Sequence, residues 1–261
     1  MNLSLSNFAW EFNDIENVAN ILHENKINNI ELIFTKYKNW SEINERELIK
    51  LKNLLNSYNL SCSSSQSLFY NVDCESIISE SDKFISHVKK IINYSKILGI
   101  KVLVFGSPTL RKIDGVELSN LHETFKKIDL LLEGTEIIFC IEPNSRIYGG
   151  DFFYTIEEIV LFLKMFKYNN IFTMCDTHNS WLENKNPNEE LVEFLPFIKH
   201  IHISEPKLTT IDLIEKHIEF SESIKKTKYN NIITYEVLSS ENTLKSVNTF
   251  SSIYTLPFIN K

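Results

Sequence analysis

Short β-branched or apolar runs alternate along the chain with longer segments whose apolar residues recur three and four positions apart, the periods of strand and helix. Eight runs read as strands: LSLS from Leu3, NIELIF from Asn29, LSCSSSQ from Leu60, IKVLVF from Ile100, EIIFCIE from Glu136, IFTMCD from Ile171, IKHIHIS from Ile198 and NIITYEV from Asn231. Seven helical segments lie between them and an eighth follows the last. Thr155-Ile-Glu-Glu158 has the form of a capping box, in which hydroxyl and carboxylate satisfy exposed backbone amides. Ser41, Asp14 and Ser239 precede helical patterns as candidate caps, and Gly99 closes the helix before the fourth strand.

Eight strand-helix units in 261 residues match the size of an α/β fold of the (β/α)8 TIM-barrel type, read here as one domain over residues 1–261. The rival open doubly wound sheet usually carries a glycine-rich turn after its first strand; here Ser6-Asn-Phe-Ala-Trp10 follows, and the chain has only 6 glycines. With 43% hydrophobic residues the chain can bury a large core, which excludes a disordered or fibrous protein. Its 34 acidic residues against 27 Lys and Arg give a net charge of -7, which argues against a nucleic-acid partner. Cys62, Cys74, Cys140 and Cys175 form no close pairs, so neither a disulfide framework nor a zinc knot is predicted, and a reducing compartment is. The segment MNLSLSNFAWEF lacks the basic-then-apolar order of a signal peptide, and no run approaches the roughly 18 apolar residues of a membrane span. The expectation is a cytoplasmic protein with no membrane partner.

In a barrel the reactive residues collect where strands end. Strand five ends in Glu142, strand six in Asp176 with His178 beyond it, strand seven in His202 with Glu205 beyond it, and strand eight in Glu236. Because residues two apart share a face, Glu142 lies with Cys140, Asp176 with Met174, His202 with His200, and Glu236 with Thr234. Three carboxylates and an imidazole on adjacent strands make a donor set suited to one divalent ion, Mn2+, Mg2+ or Co2+, with Zn2+ as a further candidate.

These residues resemble the xylose isomerase-like TIM barrels, the superfamily that includes ketose 3-epimerases, hydroxypyruvate isomerases, inosose dehydratases and AP endonucleases. IEPN at Glu142, CDTH at Asp176, HIHISE at His202 and YEVL at Glu236 match the sugar epimerases in type, order and spacing, with intervals of 34, 26 and 34 residues. SNFAW at Ser6, IELIFTKYKNW at Ile30, SSSQSLFY at Ser63, EPNSRIYGGDF at Glu142 and HISEP at His202 are similar to a sugar (phosphate) isomerase/epimerase branch. Two features depart from better understood members: Pro143 replaces the usual Asn after the strand-five glutamate, and His178 follows Asp176 by two residues rather than three.

The resemblance implies a metal-dependent carbohydrate isomerase or epimerase, with manganese a natural ion, that moves a proton at the carbon next to a carbonyl through a cis-enediolate. Glu142, Asp176, His202 and Glu236 are the expected ligands, and Glu142 and Glu236 double as the acid/base pair. His178, Glu205, Gln66, Lys36, Arg146 and Lys207 are the expected contacts to a small-molecule sugar or sugar derivative. A metal-dependent sugar or cyclitol dehydratase and a non-catalytic sugar-binding barrel are the alternatives. AP-endonuclease chemistry is set aside, because SSSQSLFY and VLVFGSP lack the further histidines that a three-metal cluster needs. Related barrels form dimers or tetramers, so the resemblance allows a homo-oligomer. Trp10, Phe69, Tyr70, Phe105 and Trp181 are candidate apolar walls for a sugar, whereas His23, His87, His122 and His217 are expected on solvated helix faces. His200 is expected to be a hydrogen-bonded core histidine, and Cys140 and Cys175 small packing residues.

Overall fold

A computed structural model of the chain describes residues 2–113, 118–240 and 242–255. Eight parallel strands close on themselves in chain order: β1 (Asn2–Ser6), β2 (Asn29–Leu32), β3 (Ser61–Ser65), β4 (Val102–Phe105), β5 (Ile138–Ile141), β6 (Ile171–Asp176), β7 (Ile198–Ile203) and β8 (Ile232–Tyr235), with β8 pairing β1. The molecule is therefore a single (β/α)8 barrel, and every expected apolar run contributes its strand. Helices α1 (Ile15–Glu24), α3 (Glu45–Ser57), α4 (Ser81–Leu98), α5 (Leu118–Leu132), α6 (Ile156–Phe166), α8 (Pro187–Phe194), α9 (Ile214–Lys226) and α10 (Thr243–Tyr254) form the outer ring, with the short α2 (Phe34–Tyr37) and α7 (Thr177–Leu182) springing from the ends of β2 and β6.

The alternation of each strand divides the interior into two layers. Outward residues such as Leu5, Ile30, Phe105, Phe139, Ile201 and Tyr235 pack beneath the helices in one large apolar cluster. Inward residues fill the lumen, where Val102, Val104, Cys140 and Met174 form a separate small cluster on β4 to β6. The opposite half of the lumen is polar: Ser4, Ser6, Glu31, His200 and Thr234, from β1, β2, β7 and β8, are all completely buried. The ladders of β2 with β3 and of β6 with β7 each carry a register shift that skips one residue, Ser63 in the first and Lys199 in the second.

Local signals explain the helix ends. Thr155 accepts from the Glu158 amide at 3.3 Å while Glu158 accepts from the Tyr154 amide at 2.8 Å, one residue before the one a capping box prescribes. Gly99 ends α4 at φ 84, a left-handed turn that glycine adopts without steric cost. The other candidate caps are displaced. α3 starts later than expected, and Asn44 rather than Ser41 accepts from the Glu47 amide at 3.2 Å. Asp14 makes no capping bond but accepts from the Asn17 side chain at 3.3 Å, and Asn242 rather than Ser239 precedes α10.

Candidate metal centre at the barrel mouth

His202, near the end of β7 and fully buried, lies at the middle of the strand-end residues. Its Nδ1 is 3.3 Å from Glu142 Oε1, 3.3 Å from Glu236 Oε2 and 3.9 Å from Asp176 Oδ2. One oxygen of each carboxylate and this nitrogen all fall within 4.8 Å of one another. The buried Nδ1 meets none of the three in hydrogen-bond geometry. An orphaned imidazole nitrogen ringed by carboxylate oxygens fits a divalent cation, which would take Nδ1 and one oxygen from each acid.

Contacts behind the cluster set where Asp176 and Glu142 lie. Asp176 is the N-cap of α7, and its Oδ1 accepts from the Asn179 amide at 2.9 Å and the Ser204 hydroxyl at 2.8 Å, leaving Oδ2 to face His202. Glu142 reaches the cluster because residue 106 has no side chain: a Cβ on Gly106 would overlap Glu142 Oε2. Below Glu142, the fully buried Arg111 donates from one nitrogen to the carbonyls of Phe105 at 2.8 Å and Glu142 at 2.7 Å, and from another to Phe153 at 3.2 Å. It thereby ties the ends of β4 and β5 to the loop that follows them. Burial pulls the Arg111 guanidinium down to about 9, against the opposing pull of Glu142.

The electrostatics follow from crowding charge in a closed space. Burial, then Glu236 and Glu142, push the Asp176 carboxyl up to about 7. Burial disfavours charge on His202, but Glu31 and Glu236 outweigh it and raise this imidazole well above its ordinary range. Glu31, on β2, faces His202 from the lumen: each of its oxygens is 3.0 Å from His202 Nε2, and Oε1 is also 3.0 Å from His200 Nε2. Burial alone would raise the Glu31 carboxyl, but the two histidines overcome it and hold it well below the usual carboxylate range.

Of the six expected sugar contacts, His178 and Gln66 lie at strand ends facing the mouth. His178 is buried and shares a 2.7 Å hydrogen bond with the Tyr148 hydroxyl, and both feel the carboxylates of the cluster. Gln66, also buried, donates to Ser6 at 2.9 Å. The other four are engaged elsewhere or face solvent. Glu205 Oε1 accepts from the amides of Asp212 at 2.8 Å and Leu213 at 2.7 Å and from His217 at 3.3 Å, anchoring the approach to α9. Lys36 pairs with Glu11 at 2.5 Å, Arg146 pairs with Glu183 at 3.3 Å over the Tyr154 ring, and Lys207 is exposed on its turn.

The sequence reading of the helical histidines holds for exposed His23 and fails for three others. His217 is completely buried between Tyr254 and Glu205, His87 bonds the Leu68 carbonyl, and His122 stacks on Phe166. Among the aromatic walls, Trp10 and Phe105 are buried, Phe69 stacks on Phe84, Trp181 packs edge-on against His217, and Tyr70 is exposed. Burial raises the Cys140 and Cys175 thiols, which agrees with packing rather than nucleophilic roles. Glu31, Arg111 and Tyr148 were not legible as site residues. Only Glu31 gave a signal, as a lone charge inside an apolar strand.

Comparison of the sequence with curated proteins gives no match. Comparison with solved structures aligns nearly the whole barrel. D-psicose 3-epimerase from Clostridium cellulolyticum H10, solved with D-tagatose, has a TM-score of 0.77 at 13% identity and covers 98% of each chain. A 3-keto-D-glucoside 4-epimerase from E. coli gives 0.73 at 13% identity, covering 98% of this chain and 100% of its own. A probable 3-DHS dehydratase from Bacillus anthracis gives 0.68 at 14% identity, covering 98% of this chain and 99% of its own. At these identities the likeness is one of fold. The sequence itself matches the family described as xylose isomerase-like TIM barrel over residues 20–250, and the chain belongs to that family.

Proposed function

We propose that the protein is a divalent-cation-dependent sugar isomerase or epimerase, with Glu142 and Glu236 moving the proton. The observation that carries this reading is the position of these two carboxylates, each 3.3 Å from the same orphaned imidazole nitrogen and borne by strands that are not neighbours in the barrel. Sugar epimerases among the structures of the same fold support it.

When bound by Glu142, Asp176, His202 and Glu236, a divalent cation supplies a Lewis acid that lowers the cost of charge beside a sugar carbonyl. The chain's own residues do the rest. Coming from β5 and β8, Glu142 and Glu236 approach a flat enediolate from different sides, so one removes a proton from carbon and the other returns one. Asp176 is tied through Oδ1 to Asn179 and Ser204 and serves as a fixed ligand. His178 and Tyr148 form a hydrogen-bonding pair for substrate oxygens. Of the three basic residues expected at the mouth, Lys36 and Arg146 are paired with carboxylates and Lys207 stays exposed on its turn. A neighbouring cleft of about 410 Å³ at the ends of β3 and β4 is lined by Ser67, Tyr70, Asn71, Ser107 and Thr109 among others, with no charged side chain. An uncharged sugar fits these surroundings.

The test is exchange of carbon-bound hydrogen in deuterated water, with ketohexoses and Mn2+-reconstituted protein. Exchange in the wild type, reduced 10²-fold or more in Glu142→Gln and Glu236→Gln, is the expected outcome. Asp176→Ala is expected to lose the ion. Exchange accompanied by loss of water identifies a dehydratase, whereas sugar binding without exchange identifies a non-catalytic barrel.

A further inference from the structure

Four observations converge on the floor beneath the metal centre. Glu31 is fully buried and points across the lumen from β2 to β7, strands separated by β8 and β1 in the closed sheet. Both its oxygens lie 3.0 Å from His202 Nε2, the ring atom opposite the nitrogen that faces Glu142, Asp176 and Glu236. His200 Nε2 lies 3.0 Å from Glu31 Oε1 and 3.3 Å from Thr234 Oγ1, so the carboxylate is itself held in place. Two register shifts lie close to these residues: Ser63 of β3 is skipped opposite Ile30 and Glu31, and Lys199 of β7 is skipped just before His200. A bulge re-aims side chains on the strand that carries the extra residue, and Lys199 is the extra residue of β7, directly before His200.

We propose, resting on the metal-dependent reading above, that Glu31 is a positioning residue that fixes the proton of His202 on Nε2 and so presents the Nδ1 lone pair to the cation. A neutral imidazole carries one proton and one lone pair, and whichever nitrogen donates a hydrogen bond leaves the other as ligand. A carboxylate accepting that bond orients the ring and strengthens it as a donor to metal. His200, donating to the same carboxylate, keeps Glu31 turned toward His202. Glu31 touches neither substrate nor cation; it acts through His202 alone. The same three residues, Glu31, His200 and His202, could in principle enclose a second ion. The 3.0 Å separations and full burial are those of hydrogen bonds, so the inference commits to protons there.

The experiment is Mn2+ titration of the full chain as wild type, Glu31→Gln, His200→Gln and Asp176→Ala. The Kd is expected to rise 10- to 100-fold in Glu31→Gln and less in His200→Gln. Nitrogen-15 NMR of the Mg2+-loaded wild type supplies a readout that a purely structural role would not move, and it needs no variant to fold: His202 is expected to carry its proton on Nε2. A proton on Nδ1, an unchanged Kd in Glu31→Gln, or a second ion per chain lost in His200→Gln would each overturn the proposal. An unchanged Kd in Glu31→Gln alongside loss of binding in Asp176→Ala removes only the role of Glu31. Absence of Mn2+ binding by the wild type removes the metal-dependent reading, and this proposal with it.

Discussion

Gly106 shows how one missing side chain shapes the site. Its backbone needs no unusual dihedral; the requirement is space, which the Glu142 carboxylate occupies. Gly106→Ala is therefore expected to leave the fold intact, because the end of a flexible side chain can move, and to weaken Mn2+ binding and hydrogen exchange at least tenfold. Melting temperature and metal titration measured side by side separate the two effects. Titration of Asp176 gives a second expectation. Asp176 is raised to about 7, so the stability its proton confers is complete below the ordinary aspartate range and is lost as pH climbs through about 7. Cation binding needs the carboxylate and runs the other way: Mn2+ affinity is expected to rise about tenfold per pH unit below about 7 from this group alone. The proton on His202 steepens the rise, and calorimetric titrations across this range check it. At this scale the sequence was informative wherever a polar residue ended an apolar strand, as at Glu142, Asp176, His202 and Glu236. It was silent on Arg111, whose three carbonyl partners come together only in the fold, and on Tyr148, whose partner His178 is brought to it only by folding.

Elements were more legible than residues because their signals are periodic and local. Even β3, with the weakly apolar sequence SCSSS, forms where expected, since paired strands on both sides complete its hydrogen bonds. The register shifts were invisible, because nothing in SCSSS or IKHIHI marks Ser63 or Lys199 as the skipped residue. Helix caps drifted by up to three residues, as with Asn44 in place of Ser41, since several polar residues in a row compete to accept the first free amides. Helix α6 tests both of its ends. Thr155→Ala removes the N-cap acceptor and is expected to cost about 1 kcal/mol. Lys167 ends the same helix in a left-handed conformation at φ 56, so Lys167→Gly is expected to stabilise by up to about 1 kcal/mol. Urea unfolding of the metal-saturated protein measures both, with midpoints moving in opposite directions.

For the whole molecule, the closed order of eight strands followed from the count of strand-helix units, whereas the uneven lumen did not. Periodicity assigns a residue to a face but does not say what it will meet 169 positions away, the separation between Glu31 and His200. That is why IKHIHI gave His200 only as a core histidine and NIELIF gave no role for Glu31, although the two side chains meet in the lumen. Among the described residues no helix is long and apolar enough to cross a membrane. The cross-lumen tie also bears on how such a barrel can be divided. A fragment carrying β1 to β4 would hold Glu31 without its histidines, and one carrying β5 to β8 would hold Glu142, Asp176, His202 and Glu236 without Glu31. Each would strand charge in a core made for its counterpart, a penalty that breaking a buried pair makes severe. The barrel therefore does not divide into two self-sufficient halves: the acidic cluster lies in one segment, the carboxylate that faces its histidine lies in the other, and only the joined chain holds both.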